Sequence, residues 1–447
     1  MSECRRLLDE GNACYSKALT PGLAPGLHFG RLEDALRLYH RAHSKAGNKE
    51  ELASACKNIC MCSWRLSVLH ATKDVSRAVF HAREGVLFLL EASRLRQWKP
   101  NGWLLQLASV CSEALTTTVK EMCDDDARLD LLRAACGPLG VPGPTFDCKE
   151  LAYFVALIWL TRARCAFHKS LVVERDTSAK VCGMLLGEAE EGCSFSLSSL
   201  MKAGEETAIK KEEVMELLRD VVIQARIVEA EASLHDALDH FKRYMFDEDF
   251  DMFAIMVALD LFQKVLATSG GLAVEAEAIA CARMGQIFFN VLKVQEKGHR
   301  FCLQAVQLAA SMHPKIFNQC DWYQVCVQII EKWRREKQIE EEAGWQKKRE
   351  PIMEKLKPVL YELKSQASKP IAFLLKFLFE KHPPKDEEAV LGSVDAAALK
   401  NTLLKAIRIY HPDKNPRDVH GDEWFVLCEE ICKILNMKLE LLKNERQ

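Results

Sequence analysis

The 447-residue chain has eighteen cysteines but no Cys-x-x-Cys pair. Zinc ribbons and thioredoxin-type redox motifs are built on that spacing, so neither is expected. The closest thiols are Cys56, Cys60 and Cys62, then Cys320 and Cys326, then Cys428 and Cys432. A spacing of four puts thiols on one helix face, where cysteine packs as a small apolar residue. No histidine pair at ligand spacing accompanies Cys56, Cys60 and Cys62, so no metal site is expected. Long apolar runs are missing too. The opening MSECRRLLDEGNACYSK has none after its arginines, so no secretory leader is expected. The most apolar stretch, LAYFVALIWL at 151–160, is about half the length needed to cross a bilayer and reads as a buried helix. These absences point to a reduced, cytoplasmic protein with no integral membrane association.

Charge of one sign is also scarce. Lys and Arg number 61 against 63 Asp and Glu, a formal net charge of −2, so no whole-protein attraction to nucleic acid is expected. Any electrostatic function must be local. The sequence has no P-loop, no His-Glu-x-x-His, no Gly-x-Ser-x-Gly and no cofactor-type glycine fingerprint, so it does not read as an enzyme and no cofactor is expected. The acidic clusters Asp124–Asp126 and FDEDFD at 246–251 lack calcium-loop spacing and read as acids at helix N-termini.

What is present is helical periodicity. Leu32, Leu36, Tyr39 and His43 share one helix face, with Ala35 and Ala42 beside them. Leu217, Val221, Gln224 and Val228 repeat the habit, as do Ile279, Ala282, Gly285 and Phe289. Gly/Pro-rich punctuation at 20–30, 99–102 and 137–144 marks loops. The fold class is all-α, a stack of helical hairpins.

Two stretches sharpen that reading. GNACYSKA (11–18) with GRLEDALRLYHRAHSKAGN (30–48) carries Gly11, Tyr15, Ala35, Tyr39 and Ala42. Residues 282–314 carry Gly285, Phe288, Ala305 and Pro314. Small residues let two helices approach while aromatics fill the gap beside them. The pattern resembles the tetratricopeptide repeat, which implies an α-solenoid able to bind a client or complex. One version of that family clamps a C-terminal carboxylate with two asparagines and several cations. Asn12 and Asn58 stand at the asparagine positions, but Leu8 stands where a lysine is needed and the next hairpin supplies no basic partners. A working clamp is not expected, because the charge-assisted bonds are missing.

The expected organisation is a helical array at 1–136 and 145–330, a charged helical linker at 331–369 and a separate module at 370–447. The linker expectation comes from EKWRREKQIEEEAGWQKKRE (331–350), with both charge signs in blocks and Pro351, Pro358 and Pro370 each restarting a helix.

In the last segment DAAALKNTLLKAIRIY (395–410) reads as a helix with Asp395 as N-cap. Leu399, Leu403, Ala406, Ile407 and Tyr410 line one face, and Lys400, Lys405 and Arg408 project elsewhere. Pro412 ends the helix and forces His411 out of the helical region. A second helix at 422–444 follows, striped with Cys428, Ile431, Leu435, Leu439 and Leu442.

LKNTLLKAIRIYHPDKNP, with a helix on each side, resembles the J domain of the DnaJ family, and the resemblance covers about residues 370–447. It implies a DnaK-type heat-shock chaperone (heat-shock protein 70) as partner. Lys400, Lys405 and Arg408 would steer the encounter, with Lys414 beside them. Asp413 would compete for an arginine of the partner, Pro412 would hold the loop rigid, and His411 would fix its geometry. The catalysis would belong to the partner. The family's Tyr-x-x-Leu-Gly first helix is absent, and Leu403 and Leu404 stand where tyrosine and arginine are usual. The C-terminal position and the extended preceding helix look like the auxilin subtype. The expected function is that of a cochaperone whose array binds an unidentified client or complex. The alternative is a non-chaperone adaptor with a vestigial J-like end.

Overall fold

The computed structural model describes residues 2–140, 148–173, 175–203, 208–246, 252–385 and 399–444. Among these residues there are helices and turns and no strand. The all-α reading therefore holds. Contacts divide the chain into two units, Met1–Val327 and Gln328–Gln447.

In the first unit, polar side chains start the helices where the sequence places them. Ser2, Asn48, Asp74 and Asp124 each accept a hydrogen bond from the backbone N–H three residues on. This satisfies a donor the helix cannot satisfy itself. Asp124 and the acids after it thus do the N-terminal work expected of them. Of the 246–251 run, residues 247–251 lie outside the described residues.

The four pairs of successive helices that follow pack as antiparallel hairpins, and their pairing register can be read from cross-helix contacts. Between Glu3–Ala18 and Pro25–Ser44, Gly11 faces Tyr39 and the Lys17 carbonyl accepts from Arg31. Between Lys49–His70 and Val75–Arg94, Trp64 faces Gly85 and Ser67 Oγ donates to the Ala78 carbonyl. Between Lys149–Val172 and Arg175–Ala203, Ser196 Oγ donates to the Ala156 carbonyl and Cys182 Sγ to that of Ser170. Gly285 and Cys302 join Val274–Gln286 to Gln295–Ser311 in the same way.

Glycine is needed at the closest of these contacts. A methyl on Gly11 would come within 2.6 Å of the Tyr39 ring, and one on Gly85 within 2.7 Å of the Trp64 indole nitrogen. Both aromatics are almost fully buried. Each fills the groove beside a helix that lacks a side chain at that point.

One helix, Met252–Ser269, is long and apolar enough to cross a membrane by length and composition. Its Ile255, Ala258, Leu259, Phe262 and Val265 are buried in the core of this unit, beside Ala230, Leu234 and Phe241. The segment 151–160 lies inside Lys149–Val172, with Leu151, Phe154, Val155, Ile158 and Trp159 buried.

The second unit differs from expectation. Residues 331–369 were to be a charged linker with helices restarting at Pro351 and Pro358. Instead the helix Asp321–Ala367 runs through both prolines. Met353, Leu356, Val359, Leu360 and Leu363 pack into the core of the unit. The apolar stripe is real but diluted by charges on the other faces. Both prolines are exposed, and so are Lys347 and Glu354, whose carbonyls lose their helical partners. Solvent can take up those carbonyls, so the usual penalty for proline inside a helix is reduced.

The rest of the unit comprises Ile371–Lys381, Leu399–Ile409, the short turns Pro412–Lys414 and Arg417–His420, and Asp422–Asn444. Leu374, Leu375, Leu378, Leu403, Ala406, Tyr410, Cys428, Ile431 and Leu435 share one core. Arg349, on the long helix, reaches Glu429 at 3.1 Å and Glu430 at 3.2 Å on the last one. Arg417 lies over the Trp345 ring, 4.1 Å from its centroid. The proposed cap Asp395 and most of the 385–395 connection lie outside the described residues.

Candidate functional site at the His-Pro-Asp loop

A helix that ends in the open must satisfy its last carbonyls, and here the loop does it with side chains. Tyr410 is fully buried, and its hydroxyl donates to the His382 carbonyl at 2.6 Å. Burial, and behind it the neighbouring Cys428 thiol, raises the pKa of this phenol. His411 leaves the helix at φ −62° and ψ 135°, as a residue before proline must. Its Nδ1 accepts from the Asp413 N–H at 3.2 Å. The ring proton of the neutral imidazole therefore sits on Nε2. The Lys414 N–H returns to the His411 carbonyl at 2.9 Å, closing a tight turn around Pro412.

Asn415 holds this turn to the helices. It is buried, and its Nδ2 donates to the Ile409 carbonyl at 2.8 Å and the His411 carbonyl at 3.0 Å. Its Oδ1 accepts from Trp424 Nε1 at 2.8 Å. An indole nitrogen can only donate, so the amide orientation is determined by its partner. Cys432 Sγ reaches the Tyr410 carbonyl at 3.1 Å. Lys385 donates to the His420 carbonyl at 2.8 Å and lies over Trp424, 5.2 Å from the ring centroid. Three carbonyls at the end of this helix are thus satisfied from the loop and from the last helix.

The expected site residues fall on the outside of this knot. Side-chain exposure is 48% for His411 and 87% for Asp413. Pro412 is half-buried and Lys414 is exposed. Lys400, Lys405 and Arg408 are exposed on Leu399–Ile409, together with Asn401 and Leu404. These positions occupy one arc of the helix, since residues three and four apart are neighbours. Among the described residues, no carboxylate pairs with Lys400, Lys405, Arg408 or Lys414. Arg408 sits in the last turn, where the helix dipole favours a cation.

The two leucines have different fates. Leu403 is fully buried in the core, so it takes nothing from the basic face, whereas Leu404 is 41% exposed within it. Sequence reasoning gave no role to Asn415, Trp424 or Lys385. The available signal was an amide directly after the tripeptide turn, with a donor-only tryptophan at the start of the next helix.

In the first unit Asn12 and Asn58 do meet. Asn58 Nδ2 and the Tyr39 hydroxyl both donate to Asn12 Oδ1 at 3.0 Å. Leu8, at the position of the missing cation, is buried.

No family model, no curated protein and no solved structure matches the chain.

Proposed function

We propose that this protein is a cochaperone that recruits a DnaK-type heat-shock chaperone through the J-like module at residues 370–447 and stimulates its ATPase. The observation that carries this reading is a His-Pro-Asp turn tied from behind by Asn415 and Trp424, with His411 and Asp413 turned to solvent at the end of a helix bearing unpaired cations. Charges free of intramolecular partners are available to an acidic surface, where they speed and orient encounter. A preorganised loop loses little entropy on docking. Asp413 would then compete for an arginine of the chaperone, with His411 and Pro412 holding it in place.

The helical hairpins of the first unit supply the client-binding part in this reading, as a tetratricopeptide-like solenoid. Support comes from the glycine–aromatic contacts Gly11–Tyr39 and Gly85–Trp64. A reducing, cytoplasmic setting suits a chain whose eighteen cysteines are all free.

The test is single-turnover ATP hydrolysis by a DnaK-type chaperone with the full-length protein. Stimulation is expected from the parent and not from His411→Gln or Asp413→Asn. An absence of stimulation by the parent, or equal stimulation by His411→Gln, refutes the proposal.

One observation favours the adaptor alternative. Leu404, exposed amid Lys400, Lys405 and Arg408, gives that face an apolar centre suited to a different partner. In that case His411→Gln leaves function in cells intact, while Leu404→Arg does not.

A further inference from the structure

The sequence offers no histidine near Cys56, but the fold brings one in. His43 from Pro25–Ser44, Cys56 from Lys49–His70 and Glu91 from Val75–Arg94 meet where these three helices pack. One ligand atom from each residue lies within 4.8 Å of the other two. His43 Nε2 and Glu91 Oε1 are 3.0 Å apart. Cys56 is fully buried, while the side chains of His43 and Glu91 are 27% and 36% exposed. The donors therefore line a niche closed by the thiol and open towards solvent.

We infer that His43, Cys56 and Glu91 form a three-ligand site for a divalent transition ion, with zinc the best fit. The donor set is one imidazole, one thiol and one carboxylate, a borderline mixture that suits zinc and is too soft for calcium or magnesium. The charges sum correctly. A thiolate and a carboxylate contribute −2, the imidazole nothing, and the ion cancels them in a site that burial would otherwise make costly for charge. Binding releases the Cys56 proton to solvent. The open side leaves the fourth tetrahedral position to water.

A tetrahedral zinc ion needs its donors roughly 3.3–3.7 Å apart. His43 and Glu91 are already closer than that, so the required change is rotation of two partly exposed side chains about a fixed thiol. The Phe88 ring stands edge-on to His43, with centroids 5.4 Å apart, and limits where the imidazole can turn. Without an ion, burial and then the Glu91 carboxylate push the thiol up to about 12, so it stays protonated. A neighbouring pair, His40 with Glu84 at 3.0 Å, belongs to no such three-donor cluster among the described residues and serves as an internal control.

The experiment uses the full-length protein, reduced and stripped with a chelator, titrated with cobalt(II) and then zinc(II). One equivalent of cobalt is expected to give thiolate-to-cobalt charge-transfer absorption and the intense visible bands of a tetrahedral ion, both erased by zinc. Cys56→Ser removes the charge-transfer band. His43→Ala and Glu91→Gln each weaken binding by about tenfold or more, and His40→Ala leaves it unchanged. Circular dichroism shows whether each variant has folded. His43 and Glu91 are partly exposed, so their variants keep the test decisive should Cys56→Ser fail to fold. Absence of the charge-transfer band in the parent, its survival in folded Cys56→Ser, or unchanged affinity in both His43→Ala and Glu91→Gln overturns the inference.

Discussion

Replacing Asn415 with alanine leaves the His-Pro-Asp residues untouched and removes what holds them. The wild-type amide makes three hydrogen bonds, two donated to the Ile409 and His411 carbonyls and one accepted from Trp424. The His411 carbonyl keeps its bond from the Lys414 N–H. The Ile409 carbonyl and the half-buried indole N–H do not recover theirs from the protein. A buried polar group left without its partner costs about 1–3 kcal/mol, so the variant loses about 3 kcal/mol in total. If that loss falls on local opening of the turn, backbone exchange at Lys414 and Asn415 accelerates roughly 100-fold, at 1.4 kcal/mol per tenfold. Hydrogen–deuterium exchange with mass spectrometry on the full chain reads this in peptides spanning 409–421. Trp424→Phe provides the graded comparison. It removes only the donor and keeps both bonds from Nδ2, so a smaller acceleration of about tenfold is expected. Exchange in Asn415→Ala within threefold of the parent would refute the idea that this amide is the tie. Under the proposed function the same variant also loses ATPase stimulation despite an intact tripeptide.

Three further outcomes can be checked on the same protein. Tyr410→Phe removes the hydroxyl from the His382 carbonyl and should cost about 1 kcal/mol in denaturant unfolding of the C-terminal unit; an unchanged midpoint counts against that bond. Gly85→Ala drives a methyl against the buried Trp64 indole and should cost about 1–3 kcal/mol, seen as a lowered Tm that Trp64→Phe partly restores; no drop in Tm would mean the two helices have room to separate. For Glu84, burial works to raise the carboxyl, but hydrogen bonds with His40 and Ser63, and the His81 ring 3.5 Å away, outweigh it and hold it at about 2 against an ordinary 4.5. A carboxylate depressed by folding stabilises fully above 4.5 and loses that contribution as pH falls from 4.5 towards 2, about 3 kcal/mol in all. The acid limb of stability against pH should therefore be shallower in Glu84→Gln, and parallel limbs would exclude this carboxylate as the cause.

The parts of the structure that were legible in the sequence are those written in short-range spacing. Leu32, Leu36 and Tyr39 repeat at helical intervals and are buried on one face, and Gly11 with Tyr39 follows a pairing pattern that the packing repeats at Gly85 and Trp64. The His-Pro-Asp turn was readable because proline restricts the residue before it. The stripe from Met353 to Leu363 was hidden because charged neighbours dominate any count over that window, and exposed prolines looked like breaks. Leu403, by contrast, was legible, since its spacing with Leu399, Ala406 and Tyr410 puts it on the apolar face that the core buries. The bond between Asn415 and Trp424 and the meeting of His43, Cys56 and Glu91 join residues from different elements. No periodicity records such contacts, because tertiary packing alone creates them.

The thiols dispersed along the chain have an experimental consequence. Of the eighteen, Cys123 is exposed, Cys14, Cys165 and Cys320 are partly so, and the rest are buried. Burial raises the pKa of Cys60, Cys62, Cys136, Cys428 and Cys432, so each is doubly protected from alkylation, by access and by protonation. Such a thiol reacts only when its own stretch of helix opens. A time course of maleimide modification, read peptide by peptide, would therefore begin at Cys123 and then report the opening frequency of each helix that carries a buried cysteine. The chain carries its own set of clocks, one for nearly every hairpin, with no probe engineered into it.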